Sequence, residues 1–331
     1  GSEIWYTAAS SGNARELRAV TPEGVARNVS GYPGMMRLFD VSTPGHVLLS
    51  RDNVRMGIYG KAPGDPRERD LSWLDWSLLR QISPDGKSVF FDEENEGIGP
   101  NYVTCIRGTN GSPVVRLGEG SAGAISPDGR KALSRIPQPG SPLTIYPTGP
   151  GQKTQVDVGG RDLSFPILFL PDSRRVFVAG RGAEGAPAAW ILDLETSSWT
   201  TLEVAWPGAI RNAAVSPDGS TLAVSMVGGA TLLIPLDGGA PKPGPRLEAD
   251  ELVATWHSDG TSIFVQRGGL PLVVTKVNLE SGAREPFMEL RPADTGGVTR
   301  VFNANLTLDG EAYAYGYNRT LSDLYVGDGL L

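Results

Sequence analysis

The chain has 331 residues, 40% of them hydrophobic, so it has enough apolar material to bury a substantial core. Its 43 glycines and 26 prolines lack the every-third-residue glycine of collagen and indicate many tight turns. The formal net charge of −7 opposes a phosphate backbone as the main partner, so we expect no nucleic acid partner.

Residue types that carry common catalytic chemistry are scarce. The chain has two histidines, His46 and His257, and one cysteine, Cys105, which cannot form an internal disulfide. We therefore expect no cofactor, no metal and no catalytic residues. No apolar run approaches the 18 residues that a membrane span needs, so we expect no direct membrane insertion by this fragment.

The N-terminal segment is predicted to begin with an expression scar, Gly1-Ser2, followed by three short strands. The strands are expected at 4–7, 17–20 and 26–30. We interpret residues 3–331 as one domain, with strands from 3–30 contributing to its closure.

A four-residue turn motif then recurs seven times along the chain. It reads STPG at 42–45, SPDG at 83–86, SPDG at 126–129, LPDS at 170–173, SPDG at 216–219, HSDG at 257–260 and TLDG at 307–310. Proline sets the first corner, aspartate binds local amides and glycine accepts a positive φ. The last residues of successive turns are 41 to 50 residues apart, which is the period of a four-stranded propeller blade.

Short β-rich runs flank these turns, as at 88–91, 176–178 and 263–265. A second strand pair follows each of them, for example 188–194 and 199–204 around a turn at 195–197. No segment of eleven or more residues keeps a helical apolar period. The sequence therefore predicts an all-β chain with four strands in each unit.

The last unit is one strand short. Its strands are predicted at 301–307, 311–317 and 323–326, so we expect an N-terminal strand at 26–30 to complete it. The predicted fold is a seven-bladed β-propeller of four-stranded antiparallel blades, closed by N- and C-terminal strands. The other N-terminal strands are surplus to this count, so eight blades with one incomplete remains the alternative.

Several motifs have a simpler structural interpretation. GxGxxG at 118–123 leaves no room for a phosphate-binding helix before the next turn, and we interpret it as a connection between blades. Residues 149–154 resemble a phosphate loop but are predicted to form a hairpin loop. The acidic run 92–97 lacks the spacing of a calcium loop. The turn aspartates belong to different blades and cannot act as an acid–base pair.

Propellers bind ligands at the mouth of the central channel, where the connections enter the innermost strands. Arginine and aromatic residues recur in these predicted connections and could grip a peptide carboxylate or an acidic side chain. We name seven of them the predicted rim: Asp75, Trp76, Asp162, Trp206, Arg211, Arg300 and Arg319.

The repeated turn followed by an apolar strand resembles the WD-repeat-like propellers of the TolB type. Three longer segments, at 68–77, 109–133 and 314–330, resemble the C-terminal propeller of bacterial eukaryotic-like serine/threonine protein kinases. This resemblance implies a sensory or scaffolding module joined to a kinase in a membrane-anchored parent, with the propeller in the periplasm; a cytoplasmic location stays open. No kinase catalytic motif occurs in this chain.

From these observations we expect a non-catalytic, monomeric binding module for a protein, peptide or cell-envelope ligand. The alternative is a propeller enzyme, a hydrolase or lyase that uses carboxylates and a metal at the channel mouth.

Overall fold

Strands make up nearly all the regular structure in the described part of the chain. The computed structural model describes residues 3–9, 15–30, 35–42, 46–94 and 101–328. Within these ranges the only helical element is a short 3-10 turn at Ala183–Gly185. The prediction of an all-β chain is therefore confirmed. The proposed scar at residues 1–2 lies outside the described residues.

The contacts divide the chain into two compact units. The larger unit comprises residues 56–295 and 300–317, and the smaller unit comprises residues 1–55, 296–299 and 318–331. The first six strands are β1 (Ile4–Ala9), β2 (Arg15–Val20), β3 (Ala26–Ser30), β4 (Met35–Val41), β5 (Val47–Lys61) and β6 (Glu68–Asp70).

The larger unit contains five four-stranded antiparallel sheets, which we number as blades along the chain. Blade 1 consists of β7 (Ser77–Ile82), β8 (Ser88–Glu93), β9 (Val103–Gly108) and β10 (Val115–Glu119). Blade 2 consists of β11 (Ser121–Ile125), β12 (Lys131–Arg135), β13 (Leu143–Pro147) and β14 (Thr154–Val156). Blade 3 consists of β15 (Asp162–Phe169), β16 (Arg175–Arg181), β17 (Pro187–Asp193) and β18 (Ser198–Thr201).

Blades 4 and 5 repeat this order. Blade 4 consists of β19 (Ile210–Val215), β20 (Thr221–Met226), β21 (Thr231–Pro235) and β22 (Lys242–Pro243). Blade 5 consists of β23 (Glu251–Trp256), β24 (Ser262–Arg267), β25 (Leu272–Asn278) and β26 (Arg284–Leu290). The first strands of neighbouring blades pack against one another, so we describe them as the inner strands.

An eight-stranded sheet contains the remaining strands, including β27 (Val298–Leu306) and β28 (Tyr313–Gly327). Its strand order is β1-β2-β4-β5-β28-β27, with β3 paired to β2 and β6 paired to β5. Within the larger unit, β27 from Arg300 onward, the first part of β28, the second part of β5 and β6 therefore lie side by side. We name these four strand portions the closing segment.

The prediction of seven four-stranded blades is wrong, and so is the eight-bladed alternative. Among the described residues, the structure has five such blades and the eight-stranded sheet. The first turn motif begins at Ser42 between β4 and β5 in the smaller unit; its residues 43–45 lie outside the described residues. Strand β3 pairs with β2 and does not complete the last unit; β5 lies beside β28 in the sheet. The turn motif specifies a local hairpin, and hairpins form in any antiparallel sheet, so its count is not a count of blades.

The other six turns join the first and second strands of a blade or β27 to β28, as predicted. In the turn at 216–219 the Ser216 hydroxyl donates to Asp218 at 2.6 Å and the Ser220 amide donates to the same carboxylate at 3.0 Å. The fourth turn residue adopts a left-handed conformation, with φ of 73° at Gly219 and 56° at Ser173. Each turn aspartate is thus occupied by its own backbone.

The core of the larger unit lies between neighbouring sheets. Its largest described cluster joins Leu133 and Leu143 of blade 2 to Val176, Val178 and Leu192 of blade 3, all of which are fully buried. Burial of such side chains contributes about 1.5–3 kcal/mol each relative to exposure. Successive blades are therefore stabilised by each other, which is expected where a single sheet cannot cover its own apolar face.

Tyrosines and one carboxylate fill the closing segment. Tyr315 is fully buried, and its hydroxyl donates to Glu68 Oε2 at 2.7 Å, while Tyr313 donates to Glu68 Oε1 at 2.9 Å. The Tyr59 ring lies near that of Tyr315, with 6.1 Å between centroids. Burial raises the pKa of Tyr315, and the neighbouring Glu68 carboxylate raises it further. The Tyr315 phenol therefore stays protonated and serves as a donor that links β28 to β6.

Removal of the Tyr315 hydroxyl should weaken this link. We expect Tyr315→Phe to lower the free energy of unfolding by about 1–3 kcal/mol, because the variant leaves Glu68 short of a buried donor. Urea unfolding followed by circular dichroism measures the change. Tyr325→Phe is the control, because Tyr325 is 47% exposed, and it should change stability by less than about 0.5 kcal/mol. Equal effects of the two substitutions would contradict this role.

The turn aspartates should make the fold sensitive to acid. The Ser216 hydroxyl lowers the pKa of Asp218, and the Thr307 hydroxyl lowers that of Asp309. Carboxyls with a lower pKa in the folded state contribute stability above their unfolded pKa of about 4 and lose it as the pH falls through the folded value. We expect the free energy of unfolding to decrease as the pH drops below about 4. The decrease should be less steep in the double variant Asp218→Asn/Asp309→Asn than in the control Asp323→Asn, whose aspartate is exposed. Parallel pH profiles of the two variants would refute this origin.

Candidate functional site

The blades of the larger unit have two chemically different ends. The start of each inner strand lies opposite the end of the second strand, as Ser121 lies opposite Arg135 and Asp162 opposite Arg181. Connections that enter the inner strands therefore share one end with the loops between second and third strands, and the turn motifs lie at the other end. We name the first end the entry face and the second the turn face.

A buried carboxylate holds the connection into blade 1. Glu93 is fully buried at the end of β8 and accepts bonds from the Ser77 hydroxyl at 2.5 Å, the Trp76 amide at 3.0 Å and the Leu74 amide at 3.3 Å. Burial raises the pKa of Glu93, and these three donors oppose the rise. The connection that presents Asp75 and Trp76 is thus ordered from inside the blade.

A second buried carboxylate joins blade 1 to blade 2. Asp92 lies beside the Arg80 guanidinium, with 2.6 Å between Oδ2 and a terminal nitrogen, and the Ser121 hydroxyl donates to it at 2.8 Å. The Ala122 amide donates to its other oxygen. Burial raises the pKa of Asp92, and the Arg80 charge and these hydrogen bonds oppose it. Arg80 is therefore neutralised within the fold.

Arginines stack on aromatic rings around the start of blade 3. The Phe165 centroid lies 4.3 Å from Cζ of Arg80 and 5.5 Å from Cζ of Arg135. Arg161 lies over Trp199 at 4.8 Å and donates to the Val158 carbonyl at 2.9 Å. Such stacking fixes the three guanidinium groups, and it does not neutralise the charges of Arg135 and Arg161.

A pocket of about 230 Å³ opens beside these arginines. It lies between the β12–β13 loop at 136–141 and the start of blade 3 at 161–163, and Arg135 also lines it. We name it the entry pocket. A larger groove of about 440 Å³ is lined by strands of blades 3 and 4, but Arg175 and Asp193 in its lining are already in ion pairs.

The predicted rim is distributed over several local environments. Asp162 is exposed and lines the entry pocket. Trp206 packs against the core cluster of blades 3 and 4, and Arg211 donates to the Ala249 carbonyl at 2.9 Å. Arg300 lies beside Gly268 in the larger unit, whereas Arg319 belongs to the smaller unit. Asp75 and Trp76 sit on the connection that Glu93 orders.

Two pocket residues, Arg135 and Arg161, are absent from the predicted rim. Arg161 lies in a connection that the sequence identifies as entering an inner strand. Arg135 is the last residue of β12, and the following loop has the same position in its blade as the other loops between second and third strands. The Pro-Gln-Pro-Gly run at 137–140 is the signal that could have found it.

The motifs interpreted as structural occupy structural positions. The GxGxxG run spans the β10–β11 connection, and residues 149–153 join β13 to β14. Cys105 is buried in β9, where burial raises the pKa of its thiol to about 12. His46 pairs with Asp328, and His257 pairs with the turn residue Asp259 at 2.9 Å. Residues 95–97 of the acidic run lie outside the described residues.

Among residues 3–9, 15–30, 35–42, 46–94 and 101–328, no three histidine, cysteine or carboxylate side chains are grouped to hold a metal ion. No helix in those ranges has the length and apolar character needed to cross a lipid bilayer.

Comparisons with known proteins identify the fold. No protein family and no curated protein matches the sequence. Among solved structures, one described as TolB from Agrobacterium tumefaciens has a TM-score of 0.55 and 17% identity over 81% of this chain and 99% of its own. A nidogen/laminin complex has a TM-score of 0.54 and 12% identity over 72% of this chain and 94% of its own. TolB from Acinetobacter baumannii has a TM-score of 0.50 and 12% identity over 97% of this chain and 82% of its own. The fold is therefore similar to that of TolB-type β-propellers.

Loss of the Glu93 charge should release the connection into blade 1. In Glu93→Gln an amide group would face backbone amides, so we expect faster hydrogen exchange at Leu74 and Trp76 while the rest of the blade stays protected. The matched control is Glu94→Gln, because Glu94 is exposed beside it. Unchanged exchange at both amides in Glu93→Gln would show that the connection does not depend on this carboxylate.

Proposed function

We propose that this chain is a non-catalytic binding module whose entry face docks a protein or peptide partner. The observation that carries the proposal is that the side chains of this face are held in place. Glu93 orders the connection with Asp75 and Trp76, and Arg135 and Arg161 stack on Phe165 and Trp199. Preorganised side chains lose less entropy on binding, so they provide affinity that mobile loops would forfeit.

The chemistry of the face suits a polypeptide. Trp76 supplies flat apolar area, and Arg135 and Arg161 supply charged donors. Tryptophan and arginine are enriched at the centres of protein interfaces. The predicted rim residues of the larger unit, Asp162, Trp206, Arg211 and Arg300, are the other proposed contacts on this face. A cell-envelope fragment that carries a peptide would present the same groups.

The biological setting is also part of the proposal. The segments at 68–77, 109–133 and 314–330 support a place beside a serine/threonine kinase in a bacterial signalling protein, outside the cytoplasm. In that setting a monomeric propeller would sense or scaffold the partner, and the attached kinase would carry the catalysis.

Site-specific photo-crosslinking tests the docking face. A photoreactive residue replaces Asp75, Gln138 or Arg300 on the entry face, or Lys87 or Arg130 near the turn face, in the full-length parent protein inside cells. We expect a discrete protein adduct from the entry-face positions and none from the turn-face controls, because only the first end presents the ordered connections. Adducts confined to the turn face, or none at any entry-face position, would contradict the proposal.

A further inference from the structure

Two guanidinium groups at the entry pocket, those of Arg135 and Arg161, have no carboxylate within ion-pair distance among the described residues. Elsewhere in the described part of the chain Arg80, Arg174 and Arg284 form ion pairs with Asp92, Asp193 and Glu251. Arg135 and Arg161 form none within those ranges, and the Nε atom of each is buried without a hydrogen-bond partner.

Their remaining contacts hold the groups in place without neutralising them. Arg135 donates to the Leu163 carbonyl and stacks on Phe165, while Arg161 donates to the Val158 carbonyl and stacks on Trp199. A carbonyl or a ring face compensates only part of the cost of burying a charge. Burial lowers the pKa of Arg135, Asp162 raises it, and the nearby Arg80 lowers it further.

The pocket has the size and rigidity of a site for one small group. Its lining combines Arg135 and Arg161 with one acidic residue, Asp162, which leaves an excess of positive charge. Pro137 and Pro139 stiffen the loop, and a bond from the Ser141 amide to the Gln138 carbonyl at 3.2 Å closes it. A volume of about 230 Å³ accommodates a side chain or a chain end rather than a folded element.

We propose that the entry pocket binds a carboxylate of the docked polypeptide between Arg135 and Arg161. A carboxylate accepts paired donors from a guanidinium and supplies the missing negative charge. The carboxylate comes from an aspartate or glutamate side chain or from a chain terminus, and the two sources share this chemistry. The inference rests on the proposed function and gives its ligand class.

Short peptides distinguish the sources. The probes are acetyl-Gly-Asp-Gly-amide, which has only a side-chain carboxylate, acetyl-Gly-Gly-Gly with a free C-terminus, and neutral acetyl-Gly-Asn-Gly-amide. Each is titrated into the isotopically labelled wild-type chain, and amide chemical shifts are followed by NMR. We expect saturable shifts at 138, 140–141 and 161–163 with at least one acidic probe and none with the neutral peptide. Shifts located elsewhere, or equal shifts with the neutral peptide, would overturn the proposal.

Charge-removing variants test the two arginines. Arg135→Gln and Arg161→Gln should each lower the affinity for the acidic peptide by roughly tenfold or more, because a charge-assisted hydrogen bond is lost. Arg130→Gln removes an exposed arginine beside a turn motif and should leave the affinity within about twofold, since it is remote from the pocket. If an arginine variant does not fold, the titration of the wild-type chain with acidic and neutral peptides still tests whether the pocket binds a carboxylate. Equal affinities in all three variants would overturn the assignment.

The two proposals fail separately. If the acidic peptides do not bind but entry-face crosslinks persist, the chain docks its partner without a carboxylate anchor. If the peptides bind and no entry-face crosslink forms, the pocket takes a carboxylate but the docking function is wrong.

Discussion

Polar side chains that cross from one sheet to the next hold the inner strands of the larger unit together. Each inner strand of the five blades has a register irregularity, as between Leu79 and Gln81, and such bulges remove backbone groups from the ladder. Side-chain amides compensate: Gln81 accepts from the Ile125 amide at 2.9 Å, and Gln266 donates to the Ala304 carbonyl at 2.9 Å. Asn303 donates to the Leu79 carbonyl at 2.6 Å and so links the closing segment to blade 1.

These links explain why the entry face is ordered. Asp92 serves both as an inter-blade acceptor and as the partner of Arg80, and Arg80 in turn stacks on Phe165. The same network that joins blades 1 and 2 therefore reaches the start of blade 3, where the entry pocket opens. A buried network of this kind is costly if one member is left unsatisfied, which makes its geometry unusually well defined. The side chains of the entry face that contact this network are therefore held in defined positions.

The sequence located some residues of the candidate site and missed others for identifiable reasons. Asp162 was included in the predicted rim because it lies where the chain enters an inner strand, and the repeat locates that position. Arg135 was missed because its importance depends on Leu163 and Phe165, which are about thirty residues away in the chain and belong to the next blade. Arg319 was grouped with the other rim residues because its loop follows a β-rich run, but the contacts assign it to the smaller unit. Local patterns locate ends of strands; they do not indicate which ends come together.

The turn motif and the short β-rich runs by themselves determined an all-β chain, the hairpins and the local role of the turn aspartates, because these depend on dihedral preferences and bonds within a few residues. Tertiary structure alone decided that five blades form and that β5, rather than β3, lies beside β28. Strand pairing between distant segments depends on which apolar faces and polar groups can be satisfied together, and no local turn encodes that choice. The positions of Arg135 and Arg161 around one pocket follow from the same long-range pairing.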